Sequence, residues 1–528
     1  MKPTPASTPQ GAGRDERRIE FWLFWLIVSA VILAGGGRIV SSDETSTFLT
    51  VESIVTRGKL DIPLTSPNVT IIDGKAYTWY EPGIVVAGIP FYLVGSFIAK
   101  VLPLSATQEG LLIRAVVSCA SAFVSAWLGL MFFALCRRFL MSARQALVMT
   151  LVLIFSTFLF PYFKTFMREP VLTLCLLGGA GGVMTAVRSA KPRGSLIKAG
   201  IFLGFGVLTK AAFLVSCVPI LVFLALERKG VQARTSRRKL DDLFALGVPI
   251  LVVGLGGIGL YNLLRFGNPL TLGYSGGTSF GTPLVTGLFG LLLSPGKGFF
   301  WFAPVLLFLP WAFRTFWQDH RNEAGCIAGV AVLNLLLYAS YTAWGGDGSW
   351  GPRYLAPLVP LLLLPVALKL STAGPVIRRT ALAFAAVGVV VQFGGTAVYA
   401  GSYLREIKEY PYQRNFDDPE FLSRAHFIPD FSPIIGHWKV LLRNGGEHLR
   451  GEYPRFTAGV TVDGSRLLVQ QSDEEKLLHT LDFWFTYALY TGVSAAVVLG
   501  LIAAMLCVCG LSIVLLRNAL AGLHLPAP

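Results

Sequence analysis

The segment RIVSSDETSTFLTVESIVTRGKL, residues 38–60, follows an apolar run that begins near residue 20 and is long enough to cross a bilayer. Two adjacent acids, Asp43 and Glu44, come directly after this run. Ser41-x-x-Glu44 has the spacing of a helix-capping box, and apolar residues at helical spacing continue to Gly58, which predicts a short helix. The capping box accounts for Glu44, whereas Asp43 is either a first-turn acid favoured by the helix dipole or a candidate for chemistry.

The composition indicates a membrane protein with several spans. Of the 528 residues, 53% are apolar and only 14% are charged, which lies outside the range of soluble globular domains. The net charge of +15 is carried by Lys and Arg in short gaps between apolar runs. A nucleic-acid-binding protein would carry these charges on a folded polar face, so we expect membrane lipids as surroundings and no nucleic-acid partner.

Apolar runs near the length that a bilayer requires recur along the chain and predict about twelve transmembrane helices. They cover residues 20–40, 111–135, 146–161, 170–187, 195–208, 211–226, 243–262, 299–315, 324–342, 354–369, 380–400 and 483–516. A further run, 83–102, begins after Glu81-Pro82. If it lies along the outer surface, every short basic loop is cytoplasmic, as the orientation rule requires. We therefore predict an interfacial or re-entrant helix at 83–102 and two cytoplasmic termini.

This topology divides the chain into five parts around an all-α polytopic membrane module of the inner (cell) membrane. They are a cytoplasmic tail (1–19), the transmembrane module with external loops 41–82 and 263–298 (20–400), an external segment (401–481), the last transmembrane helix (482–516) and a second cytoplasmic tail (517–528). Within the external segment, Asp463-Gly464 suggests a hairpin. The loops 41–82, 162–169, 263–298 and 343–353 share the external (periplasmic) face and can form one site.

Other polar residues recur at the same face, at the ends of apolar runs. Arg168 and Glu169 stand before Pro170, Lys210 lies between two apolar runs, and the segment AWGGDGSWGPRYLAPLVP (343–360) contains Asp347, Trp350, Arg353 and Tyr354. Each has a structural explanation as a helix start, a snorkelling lysine or an aromatic belt. As a set they combine a carboxylate that can accept a proton with cations that can hold a phosphate.

These residues resemble the motifs of a known family. The acidic pair, Glu169 before Pro170, LTK at 208–210, and the blocks NLLRFGNPLTLGY (262–274), GLLLSPGKGFFWFAPVL (290–306) and SWGPRYLAPLVPLLLLP (349–365) are similar to the GT-C membrane glycosyltransferases. Within them, the branch of protein O-mannosyltransferases and aminoarabinose transferases is the most similar. The resemblance covers most of the chain and implies a helical bundle with external juxtamembrane helices.

The resemblance also implies roles for individual residues. Asp43 is expected to be the general base, with Glu44 as its neighbour and possible substitute, and Glu169 supports the acceptor or a metal. Lys210 and Arg353 are expected to hold the donor phosphate, together with Arg168 and with Arg57 in place of a basic residue missing before Pro82. The residues expected to line the substrate groove are Tyr80, Glu81, Asp347, Trp350 and Tyr354.

The implied reaction is an inverting transfer of a sugar from a polyprenyl phosphate to an acceptor hydroxyl. The acceptor is a lipid, a glycan or a protein, and a hexosyl or pentosyl group fits equally. Asp43 and Glu169, with Glu44 beside them, could gather one divalent cation, so metal dependence stays open. Two other functions remain: a multi-span, flippase-like transporter, and a non-catalytic envelope assembly protein. Transporters concentrate ionisable residues near the midplane of paired segments, whereas the acids here lie at span ends.

Overall fold

The computed structural model describes residues 10–230, 236–274, 279–407, 423–451 and 479–523. Apart from one two-stranded hairpin, the regular structure of these residues is helical. The first ten helices are α1 (Gln10–Leu33), α2 (Ser42–Arg57), α3 (Gly83–Val101), α4 (Ala106–Ser118), α5 (Ala120–Arg138), α6 (Ala143–Phe155), α7 (Leu159–Phe163), α8 (Glu169–Ala186), α9 (Arg193–Thr209) and α10 (Leu214–Gly230).

The second half of the chain continues this pattern. Its helices are α11 (Ser236–Pro249), α12 (Gly257–Phe266), α13 (Leu284–Leu293), α14 (Phe299–Phe302), α15 (Leu309–Asp319), α16 (Arg321–Ser340), α17 (Val359–Thr372), α18 (Pro375–Ala397), α19 (Ala400–Glu406), α20 (Pro433–Leu449), and then Trp484–Tyr490 and Ala495–Gly522. Short 3-10 helices cover Ala211–Phe213, Pro304–Phe308, Arg353–Leu358 and Pro429–Phe431, and π-helices cover Ile250–Gly256 and Ser423–Phe427.

Eight helices of the described residues are long and apolar enough to cross a membrane. Some of them join two neighbouring elements, so that α4 and α5 together form one stretch, Ala106–Arg138. Three shorter apolar helices accompany them: Ala143–Phe155, Ala211–Glu227 and Leu284–Leu293. An all-helical polytopic membrane protein is therefore confirmed, whereas the number of about twelve crossings stays a prediction.

The helices pack around α8, which is the most buried of the membrane-length helices. Helix α8 packs along α9 and against α5, while α1 packs along the final helix and α5. A Cβ atom at Gly179 of α8 would lie 2.2 Å from the Leu203 side chain of α9, so a larger residue there would displace this leucine. The first and last long helices thus lie side by side at one flank of the bundle.

Helix α2 begins and ends as its sequence predicts. The Ser41 side chain accepts from the Glu44 backbone N–H, and the Glu44 carboxylate accepts from the Ser41 N–H at 3.0 Å, so the capping box is confirmed. At the other end Gly58 adopts φ 64°, a left-handed conformation that glycine tolerates best. These two ends place Asp43 in the first turn of α2.

A β-hairpin follows α2, and the sequence analysis did not identify it. Strands β1 (Val69–Ile72) and β2 (Lys75–Thr78) pair antiparallel around Asp73-Gly74, both of which have positive φ. Asp-Gly between two short runs, VTII, in which every residue is β-branched, and KAYT with Tyr77 and Thr78, is a hairpin signal, so the sequence did contain it. The pairing continues with the Trp79 N–H donating to the Asn68 carbonyl, which brings the two flanks of the hairpin together.

Several predicted boundaries differ in the structure. The apolar run 299–315 is divided into three short helices, because Pro304 starts a 3-10 helix and Pro310 is the second residue of α15. The run 483–516 is broken near Gly492 (φ 86°), so its long helix begins at Ala495 and extends to Gly522. Helix α3 is among the eight helices of membrane length, and its interfacial placement stays a prediction. The hairpin suggested at Asp463-Gly464 lies outside the described residues.

Candidate active site

Asp43 lies at the centre of a polar cluster, and its two oxygens have different partners. Oδ1 accepts from the Tyr80 hydroxyl at 2.5 Å and from the Asn68 amide at 3.1 Å. The Asn68 amide also donates to the Tyr80 hydroxyl at 2.8 Å. Oδ2 accepts from Arg353 Nη2 at 2.8 Å. The hairpin flanks therefore hold one oxygen, and a residue 310 positions away holds the other.

Arg353 stands where a tight loop enters the 3-10 helix Arg353–Leu358. Three residues of the loop, Gly346, Asp347 and Gly351, have positive φ. Lys297 is buried beneath the loop, and its ammonium donates to the Asp347 carbonyl at 3.0 Å and to the Ser349 carbonyl. Lys297 thus stabilises the conformation of this loop, and the loop in turn directs Arg353 toward Asp43.

Glu169, in the first turn of α8, is the second carboxylate beside Arg353. Its Oε1 forms an ion pair with Arg353 Nε at 3.2 Å, and the residue is 2% exposed. The Arg353 guanidinium therefore bridges Asp43 and Glu169, the two acids for which metal binding was left open. Within the described part of the chain, no three His, Cys, Asp or Glu side chains group closely enough to hold a metal ion. In this arrangement the guanidinium of Arg353 lies between the two carboxylates.

Arg168 borders the cluster on the hairpin side. Its guanidinium lies 4.5 Å from the centre of the Tyr80 ring and 3.4 Å from both Glu81 Oε2 and the Tyr274 hydroxyl. The other oxygen of Glu81 accepts from the Ala211 N–H at 3.1 Å. Glu81 thus positions Arg168 and the chain after α9, in addition to its expected place in the groove.

Lys210 lies in the break between α9 and the following helix. Its ammonium lies 4.3 Å from the Tyr354 ring centre and 4.7 Å from that of Tyr338, and these two rings are stacked on each other. Among the ion pairs of the described residues, none involves Lys210. Together with Glu169, Arg353, Tyr338 and Tyr354, it lines a small cavity. Its ammonium is therefore not neutralised by a carboxylate in a described ion pair and can bind an anionic ligand when it is protonated.

Two predicted site residues lie apart from Arg353. Both oxygens of Glu44 are used locally, one by Ser41 and the other by the Phe166 N–H at 2.7 Å, so Glu44 is a helix cap that also fastens the chain before α8. Arg57 donates to Asp61 and Ser53 at the far end of α2. The structure therefore does not bring Arg57 to the phosphate position that the resemblance suggested.

Asp43 and Arg353 border a cleft of about 360 Å³. Of the residues predicted for the groove, Asp347 and Trp350 line this cleft, whereas Tyr354 lies on the Lys210 side. The Trp350 ring nitrogen donates to the Gln392 side chain at 2.9 Å, and this hydrogen bond fixes the orientation of the ring at the side of the cleft. Arg353 lines both the cleft and the small cavity, and so stands between them.

A second buried ionic cluster lines the same cleft, and the sequence analysis did not identify it. Asp482 accepts from Arg38 at 2.6 and 3.0 Å, from Lys164 at 2.8 Å and from the Tyr487 hydroxyl at 3.0 Å. Lys164 also donates to the Thr396 carbonyl at 2.5 Å. The same signal was present for all three residues, since Arg38, Lys164 and Asp482 each lie at an end of an apolar run, but nothing local indicated that these ends meet.

Burial and neighbouring charges shift the pKa values of these groups in opposite directions. Burial alone would raise the pKa of the Asp43 carboxyl, but Arg353, Arg168 and the Tyr80 hydroxyl outweigh it and hold that pKa well below its usual range. Burial, reinforced by Arg168 and Arg353, lowers the pKa of Lys210 to about 7. At neutral pH the site thus contains a firmly ionised carboxylate and an amine close to its titration point.

Comparisons with known proteins were made for the whole chain. No family model matches it, and no curated protein matches it. Among solved structures it is similar to ArnT from Cupriavidus metallidurans bound to undecaprenyl phosphate (TM-score 0.48, 14% identity, 95% of this chain and 77% of that chain) and to ArnT in the apo state (TM-score 0.46, 14%, 94% and 75%).

A third similar structure is the archaeal oligosaccharyltransferase AglB from Archaeoglobus fulgidus in complex with an inhibitory peptide and a dolichol-phosphate (TM-score 0.43, 14% identity, 76% of this chain and 60% of that chain). These neighbours belong to the GT-C superfamily that the sequence motifs resemble. At TM-scores below 0.5, however, the likeness assigns no residue and no reaction to this chain.

Proposed function

We propose that this protein is a membrane glycosyltransferase that moves a sugar from a polyprenyl-phosphate donor to an acceptor hydroxyl at the external face. The observation that carries the proposal is the cluster itself. The half-buried carboxylate of Asp43 borders a cleft, and two cations line the small cavity beside it: Arg353, which borders both spaces, and Lys210. A base facing one space and cations facing another suit a reaction between a hydroxyl and a phosphate ester.

In the proposed reaction the acceptor lies in the cleft and the donor phosphate lies between Arg353 and Lys210. Asp43 removes the proton of the acceptor hydroxyl while the oxygen attacks the anomeric carbon. The bond from that carbon to the phosphate oxygen breaks, and the configuration inverts. Arg353 and Lys210 stabilise the negative charge on the departing polyprenyl phosphate. Trp350 and Asp347, which line the cleft, contact the acceptor.

The position of the cluster favours this reaction over transport. Asp43 and Glu169 lie in the first turns of α2 and α8, and Lys210 lies between two helices. Substrate sites of many transporters lie near the midplane between internal repeats, where broken helices meet. A site formed at helix ends beside a cleft fits chemistry at a membrane boundary better.

The test is a transfer assay with purified protein in nanodiscs and a panel of polyprenyl-phosphate sugars, following release of polyprenyl phosphate. Wild-type protein should consume at least one donor, and Asp43→Asn should reduce release to background while remaining folded. Glu52→Gln is the matched control, because Glu52 is an acid of the same helix whose partner is Tyr92. Wild-type turnover by the Asp43→Asn variant would contradict the proposal, as would a folded wild type that consumes no donor.

A further inference from the structure

The cluster contains a conflict that the proposed function has to resolve. Asp43 is to act as a base, yet its Oδ2 is held at 2.8 Å by Arg353, the same cation that is to bind the donor phosphate. A carboxylate paired with a guanidinium is a poor proton acceptor, because the charge that would attract the proton is already neutralised. In this arrangement neither Asp43 nor Arg353 is available for its proposed task.

The asymmetry of the Asp43 carboxylate offers a solution. Tyr80 and Asn68 hold Oδ1, so the orientation of the carboxylate does not depend on Arg353. Oδ2, in contrast, has Arg353 as its partner, and the Asp43 side chain keeps 18% of its surface exposed. If Arg353 moved away, Oδ2 would become a free base in a carboxylate that is still held in place.

The surroundings of Arg353 provide the other half of the argument. Arg353 lines the cleft on the Asp43 side and the small cavity on the Lys210 side. Lys210 is in no ion pair of the described residues and can make the first contact with an entering phosphate. A phosphate next to Lys210 then competes with Asp43 for the guanidinium, since phosphate matches its fork of donors at least as well as a carboxylate does.

We propose, on the basis of the proposed function, that Arg353 is a donor-operated switch: the donor phosphate draws its guanidinium from Asp43 and thereby releases Oδ2 to act as the base. Without donor, the Arg353–Asp43 ion pair keeps the base blocked. The acceptor hydroxyl is activated only when the donor is in place, so the donor binds productively before the acceptor. Glu169, at 3.2 Å from Nε, keeps the guanidinium within reach of both positions.

This switch makes a prediction that a purely catalytic role of Asp43 does not make. If Asp43 competes with phosphate for Arg353, the neutral variant Asp43→Asn should bind polyprenyl phosphate more tightly than wild type. Coupling energies between linked equilibria usually correspond to factors of about 5–150, so a gain of about tenfold is expected. The measurement is the dissociation constant of polyprenyl phosphate for protein in nanodiscs, with Glu52→Gln as a control that should leave it unchanged.

A double-mutant cycle separates the switch from a general effect of removing one negative charge. In the Arg353→Met background, Asp43→Asn should no longer increase the affinity for polyprenyl phosphate, because the guanidinium for which Asp43 and the phosphate compete is absent. If Arg353→Met does not give folded protein, Arg353→Gln serves the same purpose. A gain that persists without Arg353, or the absence of any gain in Asp43→Asn, would overturn the switch while leaving the glycosyltransferase proposal intact. Failure of folded wild type to bind polyprenyl phosphate would overturn both.

Discussion

Removing the negative charge of Asp482 should destabilise the folded protein, because this one carboxylate balances two buried cations, Arg38 and Lys164. The side chains of Arg38, Lys164 and Asp482 are 5%, 6% and 11% exposed. Removing one partner of a buried ion pair leaves an unpaired charge in a low-dielectric interior and costs about 3–5 kcal/mol. The variant Asp482→Asn preserves shape but removes the charge, so it should lower the free energy of unfolding by about that amount.

The assay is equilibrium unfolding of the purified protein in mixed micelles, followed by tryptophan fluorescence. Asp61→Asn is the matched control, because Asp61 pairs with Arg57 at 3.1 Å in an exposed position, where ion pairs contribute about 1 kcal/mol or less. Adding Lys164→Met to Asp482→Asn should recover part of the loss, since it removes one of the two uncompensated cations. A loss in Asp482→Asn no larger than that in Asp61→Asn would refute the reasoning.

Three further predictions concern the site. Tyr80→Phe removes the hydroxyl that donates to Asp43 at 2.5 Å; such hydrogen bonds to charged groups contribute about 1.5–3 kcal/mol, so transfer should fall about tenfold or more in the donor-release assay. Because the pKa of Lys210 is lowered to about 7, affinity for polyprenyl phosphate should be full below that pH and weaken as the pH rises through it; Lys210→Arg, which stays charged, should remove this dependence. Lys297→Met removes the ammonium that donates to the Asp347 and Ser349 carbonyls, so it should weaken polyprenyl-phosphate binding through the displaced loop, and unchanged binding would contradict that role.

Part of the site was readable from local sequence patterns. The capping box at Ser41 and Glu44 follows from the spacing of residues within one helical turn, and the structure confirms it. The same pattern singled out Asp43 as the acid without a capping role. The signal for the Asp73-Gly74 hairpin was equally local, but the hairpin was not predicted. The hydrogen bond from Asn68 to Asp43 was therefore not predicted either.

Contacts between distant segments followed no such pattern. Arg353 meets Asp43 across 310 residues, and Lys164 meets Asp482 across 318. A sequence shows that ionisable residues stand at the ends of apolar runs, which indicates a polar site at a membrane boundary. It does not show which ends meet, because that depends on how the helices pack. Arg57 and Glu44 illustrate this, since both satisfied the sequence criteria, but Arg57 pairs with Asp61 and Glu44 with Ser41 and the Phe166 N–H instead of with Arg353.

The sequence by itself determined that this chain forms apolar helices, where α2 begins and ends, and which acids and cations lie at the helix ends. These properties follow from hydrophobicity and backbone hydrogen bonding, which act over one or a few turns. Only the tertiary structure decided that Arg353 lies between Asp43 and Glu169, that Lys210 remains outside any described ion pair, and that Asp482 completes the cleft wall. Charges in a low-dielectric interior select their partners by distance in space, and that distance is set by the packing of helices far apart in sequence.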